Sequence, residues 1–405
     1  MLSINKTYYV IFLLMLLMGL YFNNAFSVFK FTDELLSWSL LGVALVVAFA
    51  KNSFSKFNKL WLLVAISVFY LVYSIIVTQY NTTGAVLSDF LVQLKPFIAF
   101  FATLALAPKF TPKQKTWLRY ICFSLAILML LLFLMPGDIW EAVYFHPAYL
   151  GITATVLALI YYYCSDGDKR SKIITILILA VGFCGARSKF YGFFVIALFF
   201  LFFFKREMLG RIKIKYIVVG IFAVLLMLLV AWQKIDYYFI SGGEFSSDEI
   251  SESVARAALY VYSPEILADH PLFGTGFASY ATYYSAHPYS SLYAEYKMNK
   301  IWGISEDMND FISDTYYPVM VQFGYIGLLL YITFIRLIYK RIKRGAKRYE
   351  LSDKNIHVAF LCLMFVLIES IAGAAFVLGG GILAMMLCAI ALSDVVNKEK
   401  LIYDN

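Results

Sequence analysis

The chain has 405 residues, 62% of them hydrophobic and 18% aromatic, with only 15% charged and a formal charge of +8. Mean hydropathy is +0.76, and with so few charges a soluble protein of this length is excluded. The class that remains is an all-α, polytopic membrane protein, because only helices satisfy their own backbone within a bilayer while reading as long apolar runs.

A bilayer core of about 30 Å takes roughly 20 apolar residues per helix. Apolar runs between charged breaks predict about 12 transmembrane helices, at 7–22, 34–50, 60–79, 87–107, 116–135, 148–164, 173–185, 190–204, 216–233, 316–337, 356–371 and 377–393. The first is expected to be a true span, since no small-x-small cleavage site follows "IFLLMLLMGLYF", and no soluble domain is expected before or after the spans. Basic residues then orient the chain, because cytoplasmic loops retain Lys and Arg. With both termini inside, the clusters at 51–59, 109–115, 169–172, 205–215 and 340–348 all fall in the cytoplasm, and with Lys6, Lys354, Lys398 and Lys400 they place 24 of the 34 basic residues there. The positive charge therefore reports topology and gives no reason to expect a nucleic-acid partner.

That orientation divides the apolar run 173–204. One long span would place the basic loops at 165–172 and 205–215 on opposite sides. Two short spans place both inside and turn Arg187-Ser188-Lys189 to the outer face, at or below the headgroups, where cations face a cavity or a partner.

Three regions follow: a membrane domain of nine spans at 1–233, a large outer-face loop at 234–315, and a second membrane domain with a cytoplasmic tail at 316–405. The loop carries twelve Asp or Glu against four Lys or Arg, and ten tyrosines, a composition too aromatic for disorder. Within it, "SSDEISESVARAALYVYSPEILADHP" predicts a helix that contains Arg256, and "HPLFGTGFASY" predicts a tight turn. Exposed tyrosines with carboxylates suit carbohydrate; an ordinary folded cap suits the same composition. Cys122, Cys164, Cys184, Cys362 and Cys388 lie in or beside apolar runs, and the four histidines are scattered, so neither a disulfide framework nor a metal site is expected in the loop. No phosphate-binding glycine loop or dinucleotide motif is present, and no cofactor is expected.

Three stretches in order, "CGARSKFYGFFVIALFF", "ARAALYVYSPEILADHPLFGTGFASY" and "SDTYYPVMVQFGYIGLLLYITFI", together resemble the O-antigen ligase and Wzy polymerase superfamily. The likeness runs from about residue 148 to 393, and the first four spans match only in hydropathy. It implies a glycosyltransferase of the bacterial plasma membrane that moves a glycan from an undecaprenyl-diphosphate-linked oligosaccharide at the outer leaflet, without nucleotide sugar or metal. A flippase and a chain-length regulator are its implied partners. Arg187 and Arg256 carry over as the cations that bind the diphosphate, with Lys189 as an added point charge. Bilayer snorkelling by Arg187 and a surface pair between Arg256 and Glu252 are the plainer readings.

Where ligases of this superfamily carry a histidine-asparagine pair eleven residues before the glycine, this chain has Ser313-Asp314, which favours a polymerase. Asp314 is the nearest carboxylate able to take a sugar hydroxyl's proton, with Asp310 and Asp307 behind it if the segment is helical; a helix N-cap is the alternative for Asp314. His270 is expected to shape a turn or touch substrate. Tyr316, Tyr317 and Gln322 are placed along an acceptor path, and Lys95 either faces the same cavity or pairs with Asp89.

Overall fold

The computed structural model describes residues 4–137, 139–205, 247–348 and 351–403. They form a helical bundle capped at one end. The first helix, α1 (Ile4–Leu14), runs on as a wider π-turn segment to Tyr21, followed by α2 (Thr32–Ala50), α3 (Asn58–Tyr73) and α4 (Thr83–Leu106). Then come α5 (Pro112–Leu134), the short α6 (Ile139–Tyr144), α7 (Pro147–Cys164), α8 (Lys169–Ala180) and α9 (Ser188–Phe202). After the cap helix α10 (Ser247–Asp269), the chain returns through α11 (Gly324–Arg348), α12 (Asp353–Glu369) and α13 (Gly379–Tyr403).

Local chemistry sets many of these boundaries. The Thr111 hydroxyl accepts from the Gln114 amide while the Gln114 side chain takes the Thr111 amide, a reciprocal cap with Pro112 in the first turn of α5. The Asp168 and Ser352 side chains cap α8 and α12 by accepting from the Ser171 and Asn355 amides. Helices α4, α7 and α13 form the centre of the bundle, and α13 packs along both α4 and α12.

Among the described residues, seven helical stretches are long and apolar enough to cross a membrane, and Ser188–Phe202 and Gly379–Ser393 are shorter apolar helices. The 173–204 run is divided as expected. Helix α8 tightens into a 3-10 segment at Val181–Gly185 and turns at Ala186 before α9 begins. The expected span 216–233 lies outside the described residues.

Two boundaries differ from expectation. The helix predicted from 316 begins at Gly324; Tyr317–Phe323 form a 3-10 segment above it, with Pro318 in its first turn. The same helix continues to Arg348 through the basic cluster expected to be a loop, since Lys and Arg are good helix formers once past the apolar stretch.

The cap is tied to the bundle by backbone. Gly276 N–H donates to the Gln322 carbonyl (2.9 Å) and Tyr325 N–H to the Pro271 carbonyl (2.8 Å), so the "HPLFGTG" turn interlocks with the start of α11. Gly324 has φ +62° and ψ −169°, and a Cβ there would stand 2.5 Å from the Gly274 nitrogen. A side chain is excluded by both strain and space. Asn81 fastens the other edge, donating to the carbonyls of Ala278, Tyr284 and Pro288 at 2.9–3.0 Å.

Candidate active site

The Arg187 turn is seated on the start of α7. Ala186 is left-handed (φ +45°), and Arg187 opens α9 in an extended conformation. Gly185 allows the approach: a Cβ at this position would lie 2.4 Å from the Pro147 carbonyl oxygen. Arg187 Nη2 consequently stands 2.7 Å from His146 Nε2.

Two residues on, the Lys189 ammonium meets the Glu369 carboxylate at 2.5 Å and donates to the Ala372 carbonyl at 3.0 Å. Glu369 is 4% exposed, so Lys189 neutralises a buried acid at the end of α12. Lys189 is thus held by protein groups, which makes it a tether for the Arg187 turn more than an open phosphate ligand.

Arg256, from α10, donates from Nη2 to Asp314 Oδ2 at 2.6 Å, and its guanidinium lies 6.0 Å from the Phe311 ring centroid. Arg256 thus reaches a residue 58 positions along the chain; the side chain of Glu252, its expected partner, lies outside the described residues. Asp314 is correspondingly no N-cap, since the following segment is a 3-10 turn capped at Tyr316 and α11 starts ten residues later. Residues 305–314 form bends and turns, not a helix, which removes the stacking expected of Asp307 and Asp310; both are exposed.

One short segment gathers these groups. Lys189 binds the Glu369 carboxylate and the Ala372 carbonyl, Tyr316 N–H donates to the Ser370 carbonyl at 3.1 Å, and the Tyr260 hydroxyl donates to the Ile371 carbonyl at 2.7 Å. Tyr260 lies one turn beyond Arg256, Tyr316 two residues beyond Asp314, and Lys189 two beyond Arg187. Residues 369–372 therefore bind a near neighbour of each of the three chemical groups, and no sequence motif pointed to them. Burial, and then the neighbouring Tyr317, push the Tyr260 phenol up to about 12, so it remains a donor at neutral pH. Tyr149, three residues after His146, is within electrostatic reach of Asp314 and of Asp33, which joins the start of α7 to the same region.

The remaining candidates divide. Tyr316 is buried against Phe376 and, with Ile66, Leu94, Phe97 and Leu330, lines an apolar cleft of about 290 Å³ between α3, α4 and α11. Tyr317 donates to the Leu367 carbonyl, and Gln322 is buried, donating to the Tyr280 carbonyl, so Gln322 belongs to the cap's packing and not to an open path. His270 follows the last residue of α10, fourteen positions after Arg256, and its Nε2 lies 3.1 Å from the Tyr80 hydroxyl. Lys95 does not pair with Asp89. Its buried ammonium holds Asp33 at 2.8 Å and Glu34 at 2.6 Å, whereas Asp89 accepts from the Ala278 amide and Gln93. Helix α2 packs its first turn on the middle of α4, and that contact decides the partner.

No curated protein matches the chain. Residues 173–332 match the family model described as O-antigen ligase. The matched segment runs from α8 through Arg187, Arg256 and Asp314 into α11, and over it the chain is similar to the O-antigen ligase family.

Proposed function

We propose that this membrane protein lengthens a surface polysaccharide, such as an O-antigen, capsule or exopolysaccharide, in a bacterial plasma membrane. It moves the growing glycan from undecaprenyl diphosphate to the next lipid-linked repeat unit, with the cap on the outer face and both termini in the cytoplasm. The observation that carries this reading is that residues 369–372, at the capped end of an apolar bundle, bind Lys189 and Tyr260, close neighbours of Arg187 and Arg256 along the chain. A lipid-borne anion is the ligand for which such cations are favourable, since its tail stays in the bilayer while its charge reaches the guanidinium groups. The apolar cleft lined in part by Tyr316 offers a route for one lipid tail.

In the transfer, an acceptor hydroxyl attacks the anomeric carbon of the donor sugar. The bond from that carbon to the diphosphate oxygen breaks, and both electrons leave with the diphosphate. Preorganised guanidinium groups stabilise the charge that develops there. Asp314 takes the hydroxyl proton. In the resting structure it is occupied by Arg256, so the arriving diphosphate competes for Arg256 and frees the carboxylate at the moment it is needed. A flippase would supply the repeat units, and a chain-length regulator would act on the product.

The ligase reading, transfer of finished polymer to lipid A core or protein, is disfavoured by Ser313-Asp314 where ligases carry a histidine-asparagine pair. Analysis of lipid-linked glycans in a deletion strain separates the two. Polymer lost with single repeats retained is the expected result; lipid-linked polymer accumulating would overturn the polymerase assignment.

A further inference from the structure

An open tryptophan stands on the loop that leads to Asp314. Trp302 exposes 41% of its surface, although tryptophan is highly buried on average. Its ring lies 5.5 Å from the Phe311 ring at an angle of 39°, and the Phe311 ring lies 6.0 Å from the Arg256 guanidinium that holds Asp314. Two ring-sized steps thus connect the open indole to the charged pair.

The backbone builds this arrangement. Gly303 has φ +81°, and a Cβ there would stand 2.5 Å from Phe311 Cδ2 and 3.0 Å from the Ala255 Cβ. Glycine alone lets the chain press between Phe311 and the residue that precedes Arg256 on α10. The Phe311 N–H closes the loop by donating to the Gly303 carbonyl at 3.2 Å, and the Asp314 N–H donates to the Phe311 carbonyl at 3.3 Å. The Tyr289 hydroxyl donates to the Ile304 carbonyl at 2.6 Å, and the side chains of Ile304 and Ile312 are fully buried. The loop is therefore fixed to the cap on both sides of its exposed residues, while the indole stays open.

We infer that Trp302 is a sugar-stacking platform, which takes one ring of the lipid-linked repeat unit beside the ring that reacts at Asp314. The C–H face of a sugar is weakly positive and the face of an indole negative, so the two associate without any charge on the glycan. Glu306, Asp307 and Asp310 are exposed on the same loop and supply acceptors for sugar hydroxyls. Those carboxylates also oppose the plainer role of a tryptophan anchored in the bilayer interface, because they would meet the phosphates of anionic headgroups. The inference rests on the transfer reaction proposed above and adds a contact to the glycan, where Arg187, Arg256 and Asp314 serve the diphosphate and the proton.

The test uses the full-length protein in lipid nanodiscs. Its probe is the repeat-unit oligosaccharide released by mild acid from the producing strain's lipid-linked glycans, which carries the sugars and no diphosphate, with binding read by calorimetry. Trp302→Ala should weaken the oligosaccharide roughly tenfold and leave farnesyl diphosphate within about threefold of wild type. Trp302→Tyr, which keeps an aromatic face, should hold the oligosaccharide within about threefold of wild type. Trp302→Leu, which keeps apolar packing against Phe311 but offers no ring face, should lose as much as the Ala variant. Wild-type affinity in the Ala or Leu variant would overturn the inference, as would wild-type protein that takes no oligosaccharide. Equal losses in the Leu and Tyr variants, with unchanged melting temperature, would also overturn it by removing the ring face from the interaction. Farnesyl diphosphate, titrated in parallel, reports separately on the transfer reading: wild-type protein that binds the oligosaccharide and not the diphosphate keeps the platform and loses the diphosphate donor.

Discussion

Arg256 holds Asp314 at 2.6 Å, and the two residues therefore report on each other. The guanidinium occupies the carboxylate oxygen, so for Asp314 to take a proton Arg256 must exchange partners. Asp314→Asn should leave the KM for the lipid-linked donor within about threefold and lower kcat by roughly a hundredfold, the usual scale for removing a general base. An unchanged kcat would remove Asp314 from the chemistry and leave it a positioning partner of Arg256.

Both arginines should be indispensable and not replaceable by lysine, because a bidentate fork and a point charge bind a diphosphate differently. Arg187→Ala and Arg256→Ala are each expected to abolish polymer in cells while single repeat units still reach the surface. Arg256→Lys should retain less than about a tenth of wild-type polymer. Normal chain length in both alanine variants would sink the assignment.

Lys189 and Glu369 form a largely buried ion pair, and breaking such a pair from one side costs about 3–5 kcal/mol. Lys189→Met should therefore lower the melting temperature markedly. The double variant Lys189→Met, Glu369→Leu, which leaves no uncompensated charge, should recover most of that loss and a good part of the activity. A stable but inactive double variant would show that Lys189 binds substrate directly.

Gly324→Ala should disconnect the cap. Its φ of +62° with ψ −169° is a glycine conformation, and a methyl group would strike the backbone of Leu272 and Gly274. Strain alone costs about 1–3 kcal/mol. Faster proteolysis within residues 270–315 is expected, against an unchanged rate in Gly42→Ala, a position where a Cβ meets no neighbour.

The sequence made the helices legible through hydropathy, and charge parity located the Arg187 turn, since cytoplasmic loops advertise themselves by composition. The pairings were less visible. Lys95 was matched with Asp89, six residues away, but it binds Asp33 and Glu34, because helix packing brings α2 to α4 and periodicity carries no information about which helices touch. Asp310 was stacked behind Asp314 by assuming helical spacing across a stretch that folds as turns. Arg256 and Asp314 were each chosen for their chemistry, though nothing along the chain showed that they meet. His146 was set aside with the other scattered histidines, since a lone histidine before a proline carries no spacing signal; the close approach of Gly185 to Pro147 brings Arg187 to it.

The four residues 369–372 lie beyond the segment 173–332 that matches the family model. A chimaera that exchanged 173–332 for the equivalent piece of a relative would import two arginines and an acidic residue without the segment that binds their neighbours. Such hybrids should fail unless the α12–α13 junction travels with them. The charged groups and the junction that binds their chain neighbours are thus carried by two separate segments of the chain.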